Sequence, residues 1–222
     1  MGERAVRREG RGFALSGTLR GVVVAWAVVF GLAMALSVVV GADGDPLRGD
    51  LRLTGWAQDL EGFHTIARAF RWGMGTEGVL LVGFAVAVVL WFTGRRRDPM
   101  ALIAALVVLR VMQPTIKNIV DRERPSTELV DRRAGFGSES FPSGHMMSSF
   151  VLCGMLAVIA WSLPLPRWAQ WAATAVLALV VVLNGTSSVY MGVHWPSDIV
   201  GGILWGLVIV IPAGAWILLP RR

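Results

Sequence analysis

The chain has 222 residues, of which 55% are hydrophobic and only 16% charged. An average soluble domain carries roughly 25% charged residues, so lipid is the expected main solvent, and the length leaves room for one domain or two small ones. The formal charge of +6 does not argue for a nucleic-acid partner, because the arginines are scattered between long apolar runs and no basic stripe carries interleaved aromatics; the single cysteine, Cys153, excludes an intrachain disulfide and a thiolate zinc site.

A bilayer core of ~30 Å needs about 20 apolar residues in a helix, and six stretches qualify. The first, Gly21 to about Ala42, follows a basic segment over residues 1–20 that holds Arg4, Arg7, Arg8, Arg11 and Arg20. Its Ala33-Met34-Ala35 is like a signal cleavage site, but the apolar run exceeds the ~7–15 residues of a signal core, so a retained span is expected. The 43–77 segment is acidic on balance, with six carboxylates against four arginines. Within it Leu53, Trp56, Leu60, Phe63 and Ala67 recur at steps of three and four, which predicts one amphipathic helix, lying at the membrane interface or packed on the other helices.

The second span runs from about Gly78 to Thr93. The third, about Pro99 to Lys117, is interrupted by Arg110, Gln113 and Pro114. The fourth covers Gly144 to Leu163, the fifth Trp168 to about Thr186, and the sixth Asp198 to Leu219. Gly202 and Gly206 in the sixth have the spacing of a helix-packing motif, expected to act within the chain; oligomeric state stays open. The expected fold is thus all-α: a six-helix membrane domain over 21–222 behind the basic leader.

Arginines set the orientation. The leader, Arg95–Arg96–Arg97, Arg167 and the terminal Arg221–Arg222 all fall on one side of a six-span chain, and the positive-inside rule makes that side cytoplasmic. Both termini are then cytoplasmic in a plasma or inner membrane. Segments 43–77, 118–143 and 187–197 face outward.

Ionisable groups at membrane depth are costly and mark function. They gather at the outward ends of spans three to six: Lys117 through Arg124-Pro125, then Pro142-Ser143-Gly144-His145, then Ser187 through His194 to Asp198. A phosphate ester needs cations and N–H donors for its oxygens, a nucleophile in line and an acid for the leaving oxygen. Lys117, the only lysine beside twenty arginines, and Arg124 offer the cations. Ser143-Gly144 opens the fourth span, where free N–H groups suit an anion and glycine allows close approach. Asp198, four residues after His194, can orient that imidazole and leave its other nitrogen free to attack phosphorus; His145 remains as general acid. Each residue alone also has a plainer reading: snorkelling anchor, interfacial polar residue or helix cap.

These clusters resemble the three-part signature of the type 2 phosphatidic acid phosphatase family. Lys117, Arg124 and Pro125 match the first part; Pro142, Ser143, Gly144 and His145 the second; Ser187, His194 and Asp198 the third. The family places arginine where this chain has Ser188, so one of three phosphate-binding cations is missing, with Arg122, Arg132 and Arg133 as candidate substitutes. The resemblance implies a membrane-embedded, metal-free phosphatase without cofactor, acting on a lipid phosphate through a phosphohistidine. His194 would be the nucleophile, Asp198 its orienter and His145 the acid, with Lys117, Arg124, Ser143 and Gly144 cradling the phosphate at the extracytoplasmic face. Phosphatidic acid, phosphatidylglycerol phosphate and polyprenyl phosphates or diphosphates are the candidate substrates. Phosphotransfer between lipids and a catalytically weakened lipid-phosphate-binding protein are the alternatives.

Overall fold

The structure, a computed structural model, describes the backbone of residues 2–219 and the side chains of residues 17–42 and 44–219. Arg221, Arg222 and the side chains of Arg4, Arg7, Arg8 and Arg11 lie outside the described residues. The described chain is all-helical: α1 (Gly2–Asp43), α2 (Asp50–Gln58), α3 (His64–Gly73), α4 (Thr76–Phe92), α5 (Arg97–Val120), α6 (Gly144–Ser162), α7 (Arg167–Tyr190) and α8 (Pro196–Leu218).

Five of these helices are long and apolar enough to cross a membrane: the Gly17–Ala42 part of α1, and α5, α6, α7 and α8. A sixth crossing would need α3 and α4 together. With 17 residues α4 reaches only ~25 Å at 1.5 Å per residue, and it continues into α3 through a bend of 60°. This is a multi-pass membrane protein, and its surface shows it: Val23, Val24, Val28, Leu81, Phe84 and Val111 are all exposed, which is unremarkable against lipid chains.

The expected single amphipathic helix over 53–67 is instead two helices. The chain leaves α2 after Gln58 and turns through Gly62 at φ +70°. Leu53 and Trp56 are 50% and 70% exposed, while α2 buries Asp50, Thr54 and Ala57. The polar Asp50 turns inward because a buried arginine, described below, draws its carboxylate. Only the far end of the predicted face survives: Ala67 is buried with Tyr190, Met191 and Val193, against Leu60 and Phe63.

At the centre of the bundle, Met147, Val151 and Met155 of α6 pack in one core with Trp205 and Ile209 of α8. A Cβ on Gly206 would sit 2.7 Å from the Phe150 ring of α6, and one on Gly202 3.0 Å from Met146, so the small-residue spacing serves packing within the chain. On the flank, α1 is tied to α8 by two indoles, Trp26 donating to the Val208 carbonyl at 3.0 Å and Trp205 to the Ser37 hydroxyl at 3.1 Å. At one end of the bundle α5 stops at Asp121, held in the left-handed conformation at φ 49°. There the 121–143 loop, the start of α6, the end of α7 and the start of α8 converge.

Candidate active site

His194 lies between α7 and α8 and is 2% exposed. Gly192, at φ +63°, makes the turn that carries the chain inward; a Cβ there would lie 2.5 Å from the Asp131 carbonyl oxygen, so backbone from the 121–143 loop closes over that turn. The two ring nitrogens face different surroundings. Nε2 is 3.2 Å from Arg124 Nη1. A guanidinium can only donate, which assigns the lone pair to Nε2 and the proton to Nδ1. Nδ1 faces Asp198 Oδ2 at 3.6 Å, an electrostatic contact longer than a hydrogen bond. Burial holds the His194 pKa far below the ordinary histidine value, at about 3; the Asp198 carboxylate works against that shift and the Arg124 cation with it. The ring is neutral at pH 7.

Behind Nδ1 is a closed charge network. Asp198 accepts from Ser140 Oγ at 2.5 Å and from the Trp195 N–H at 2.8 Å through Oδ2, and from Arg122 Nη1 at 2.6 Å through Oδ1. Arg122 is 1% exposed and reaches Asp50 on its other side at 3.3 Å. Asp50 also accepts from the backbone N–H and hydroxyl of Ser197, at 2.9 and 2.6 Å. Arg122 is therefore a buried bridge between two carboxylates and not a substitute phosphate cation. Proline at the first helical position and Asp198 in the first turn are the local features that start α8 here.

Beyond Nε2 opens a cavity of about 230 Å³ whose walls include Lys117, Arg124, Gly144, His145 and His194. Five expected residues thus share one wall. A Cβ on Gly144 would fall 2.4 Å from Gln113 Nε2, so a larger residue there would displace that amide from the cavity wall. Lys117 Nζ donates to the Glu139 carbonyl. Arg124 donates to the carbonyls of Ser138 at 2.7 Å, Val193 at 2.6 Å and Glu139 at 3.2 Å, with its guanidinium 4.7 Å from the Phe136 ring centre. Burial lowers its pKa to about 10, eased by Asp198 and deepened by Arg71, so it remains a cation at pH 7. His145 Nε2 lies 3.0 Å from the Arg71 carbonyl oxygen. A carbonyl only accepts, so this nitrogen carries a hydrogen and Nδ1 is left for proton transfer.

Other expected residues stand elsewhere. Ser143 is fully buried and caps α6, its hydroxyl accepting from the Met146 N–H at 3.4 Å; it does not line the cavity. Nor does Ser188, 5% exposed, whose hydroxyl donates to the Asn184 carbonyl one turn back at 3.0 Å. Arg132 lies over the Phe136 ring, and Arg133 pairs with Asp131 at 2.8 Å and stacks on Tyr190, so neither replaces a missing cation in the cavity. The sequence reading missed Arg71, Thr76, Gln113 and Ser138, all on the cavity wall. Gln113 had a signal, as a polar interruption of an apolar span. Arg71 had none beyond its place just before one.

The PAP2 superfamily profile matches residues 98–220, more than half of the chain. Phosphatidylglycerophosphatase B of Bacillus subtilis is 26% identical over 121 residues, covering 54% of this chain and 58% of that protein. Undecaprenyl-diphosphatase of Sulfolobus acidocaldarius is 30% identical over 126 residues, covering 54% and 55%. The matches span less than two thirds of the length of these curated relatives. Among solved structures, the transmembrane PAP2-type phosphatidylglycerolphosphate phosphatase from Bacillus subtilis superposes with a TM-score of 0.72 at 20% identity, over 85% of this chain and 93% of that one; at that identity the likeness is one of fold.

Proposed function

Because the chain belongs to the PAP2 superfamily, we propose that it is a membrane phosphatase that removes a terminal phosphate from a lipid. The observation that carries this reading is the cavity wall itself. Three side-chain cations, Arg71, Lys117 and Arg124, and two imidazoles line it, and no lining residue is a carboxylate. Such a wall calls for a small polyanion. Of the named relatives one acts on a phosphatidylglycerol phosphate and one on an undecaprenyl diphosphate; both are lipids ending in a phosphate, and that shared chemistry is the substrate class proposed here.

In the proposed reaction the neutral Nε2 of His194 attacks phosphorus. The N–P bond forms as the bond from phosphorus to the lipid oxygen breaks, and His145, entering the step as the imidazolium with its Nε2–H on the Arg71 carbonyl, delivers its Nδ1 proton to that oxygen and becomes neutral. Water then attacks phosphorus while His145 takes its proton back, the N–P bond breaks, and inorganic phosphate leaves. His194 becomes cationic as the N–P bond forms, and Asp198, anchored by Ser140, Trp195 and Arg122, is the countercharge on the Nδ1 side. The cations and the α6 N-terminus at Gly144 stabilise the equatorial oxygens. An extracytoplasmic site is supported by the positive-inside rule, because Arg95, Arg96, Arg97 and Arg167 lie at the end of α4–α7 away from the cavity.

Phosphate release in detergent, measured over a panel of phosphatidic acid, phosphatidylglycerol phosphate and polyprenyl diphosphate without added metal, tests this. The expected result is release by the wild type and none by His194→Ala. Release that survives His194→Ala would remove the nucleophile assignment.

A further inference from the structure

At the end of α3 the helix breaks over Met74 and Gly75, and the chain turns by 60° into α4. The break lies against the site: a Cβ on Gly75 would sit 3.4 Å from His145 Nε2. Through this bend a residue 46 positions before Lys117 in the chain reaches the cavity. Arg71, in the last turn of α3, presents its carbonyl to His145 Nε2 at 3.0 Å. Arg71 lines the cavity with Lys117 and Arg124, and its charge acts on the Arg124 guanidinium.

That guanidinium has no carboxylate partner among the described residues. One amino group, Nη2, donates to the Gly135 carbonyl, and a guanidinium has five N–H donors. An arginine held beside two other cations is favourable only if an anion neutralises them together. A phosphoryl group in transfer spreads its charge over three equatorial oxygens, and three cations match that distribution. The position at which the resemblance calls for a third cation holds Ser188, whose hydroxyl is turned to its own helix.

We propose that Arg71, reaching in from α3, is the third phosphate-binding cation of this site and supplies the charge that Ser188 lacks. The assignment rests on the phosphatase reading. One residue then does two things at the reaction centre: its side chain holds the phosphoryl oxygens, and its carbonyl fixes the ring that protonates the leaving group. The segment between α1 and α4 thereby becomes part of the active site.

The test uses purified full-length protein in detergent, with lipid-phosphate turnover and the binding of orthovanadate, a mimic of the transferring phosphoryl group, measured on each variant. Arg71→Ala should lower kcat/KM by about 10²–10³, as for loss of one oxyanion contact, and weaken orthovanadate binding by a comparable factor. Arg71→Lys, which keeps the charge but not the fork, should recover at least about tenfold of that loss. Arg68→Ala, an exposed arginine of the same helix outside the cavity, should stay within about threefold of wild type. The assignment is overturned if Arg71→Ala also stays within about threefold, if it loses turnover but binds orthovanadate like wild type, or if Arg68→Ala falls as far. A wild type that neither releases phosphate nor binds orthovanadate defeats the phosphatase reading and this one with it; an active wild type indifferent to Arg71 defeats this one alone.

Discussion

Two charged clusters meet at the ring of His194, one at each nitrogen, and they are completed in opposite ways. On the Nδ1 side Arg122 lies between Asp198 and Asp50, with the Ser140 and Ser197 hydroxyls and two backbone N–H groups donating to the carboxylates. Each charge there meets an opposite one inside the protein. On the Nε2 side Arg71, Lys117 and Arg124 donate to backbone carbonyls of Gly135, Ser138, Glu139 and Val193, and no carboxylate lines their cavity. Carbonyl dipoles hold cations in place without cancelling them. The first cluster pairs its cation with carboxylates inside the protein, whereas the second carries cations on a wall without a carboxylate; on the proposed reading the first is scaffold and the second is site. The difference explains why Arg122 and Arg124, two residues apart in the sequence, belong to different parts of the chemistry.

That contrast predicts different kinds of damage. The largest effect is expected for Arg122→Met, which leaves Asp50 and Asp198 buried without their shared cation. Breaking a buried pair from one side costs about 3–5 kcal/mol, read as a marked fall in the unfolding midpoint in detergent. An Arg122→Met protein as stable as wild type would show that the network is not closed as described. Arg124→Ala should do the reverse. Turnover falls by about 10²–10³, while the unfolding midpoint holds or rises, because removing one of three clustered cations relieves their repulsion. A large loss of stability in Arg124→Ala with turnover intact would erase the distinction between the clusters.

The sequence disclosed the Nε2 side better than the Nδ1 side, for a physical reason. Lys117, Arg124, Gly144, His145 and His194 stand at or just beyond helix ends whose apolar runs are plain in composition, so their convergence followed from counting spans. The Nδ1 network depends on Asp50, which comes from a short helix whose inward face is polar. Helical periodicity of apolar residues predicted a face about a quarter turn away, through Leu53 and Trp56, because it ranks a carboxylate as outward-facing unless a buried partner is known. Arg122, two residues past the end of α5, is equally free by sequence, and only the tertiary structure encloses it between Asp50 and Asp198. Arg71 escaped notice because the 60° bend between α3 and α4 is a tertiary feature that nothing local sets.

A smaller effect follows from the ring between the clusters. The folded pKa of His194, about 3, lies below the ~6.5 of an exposed histidine, so on acidification the unfolded chain takes the proton first. The associated stability is fully present above pH 6.5 and is lost as the pH falls from there towards 3, with a slope of at most about 1.4 kcal/mol per pH unit for one proton. Unfolding midpoints between pH 7 and 4 should therefore fall more steeply for wild type than for His194→Gln. Equal slopes would mean that the ring is not held neutral by burial.

The smallest effect is expected at Ser188, where the family resemblance calls for an arginine. If Ser188 had inherited a phosphate contact, its hydroxyl would face the cavity; instead it donates to Asn184 one turn back on α7 and is covered by protein. Such back-bonding within a helix contributes little, and no partner with a stringent donor requirement is orphaned when it goes. Ser188→Ala should thus change stability by less than about 1 kcal/mol and kcat/KM by no more than about twofold. A tenfold loss of kcat/KM with stability unchanged would return this position to the phosphate and remove the reason for assigning its charge to Arg71.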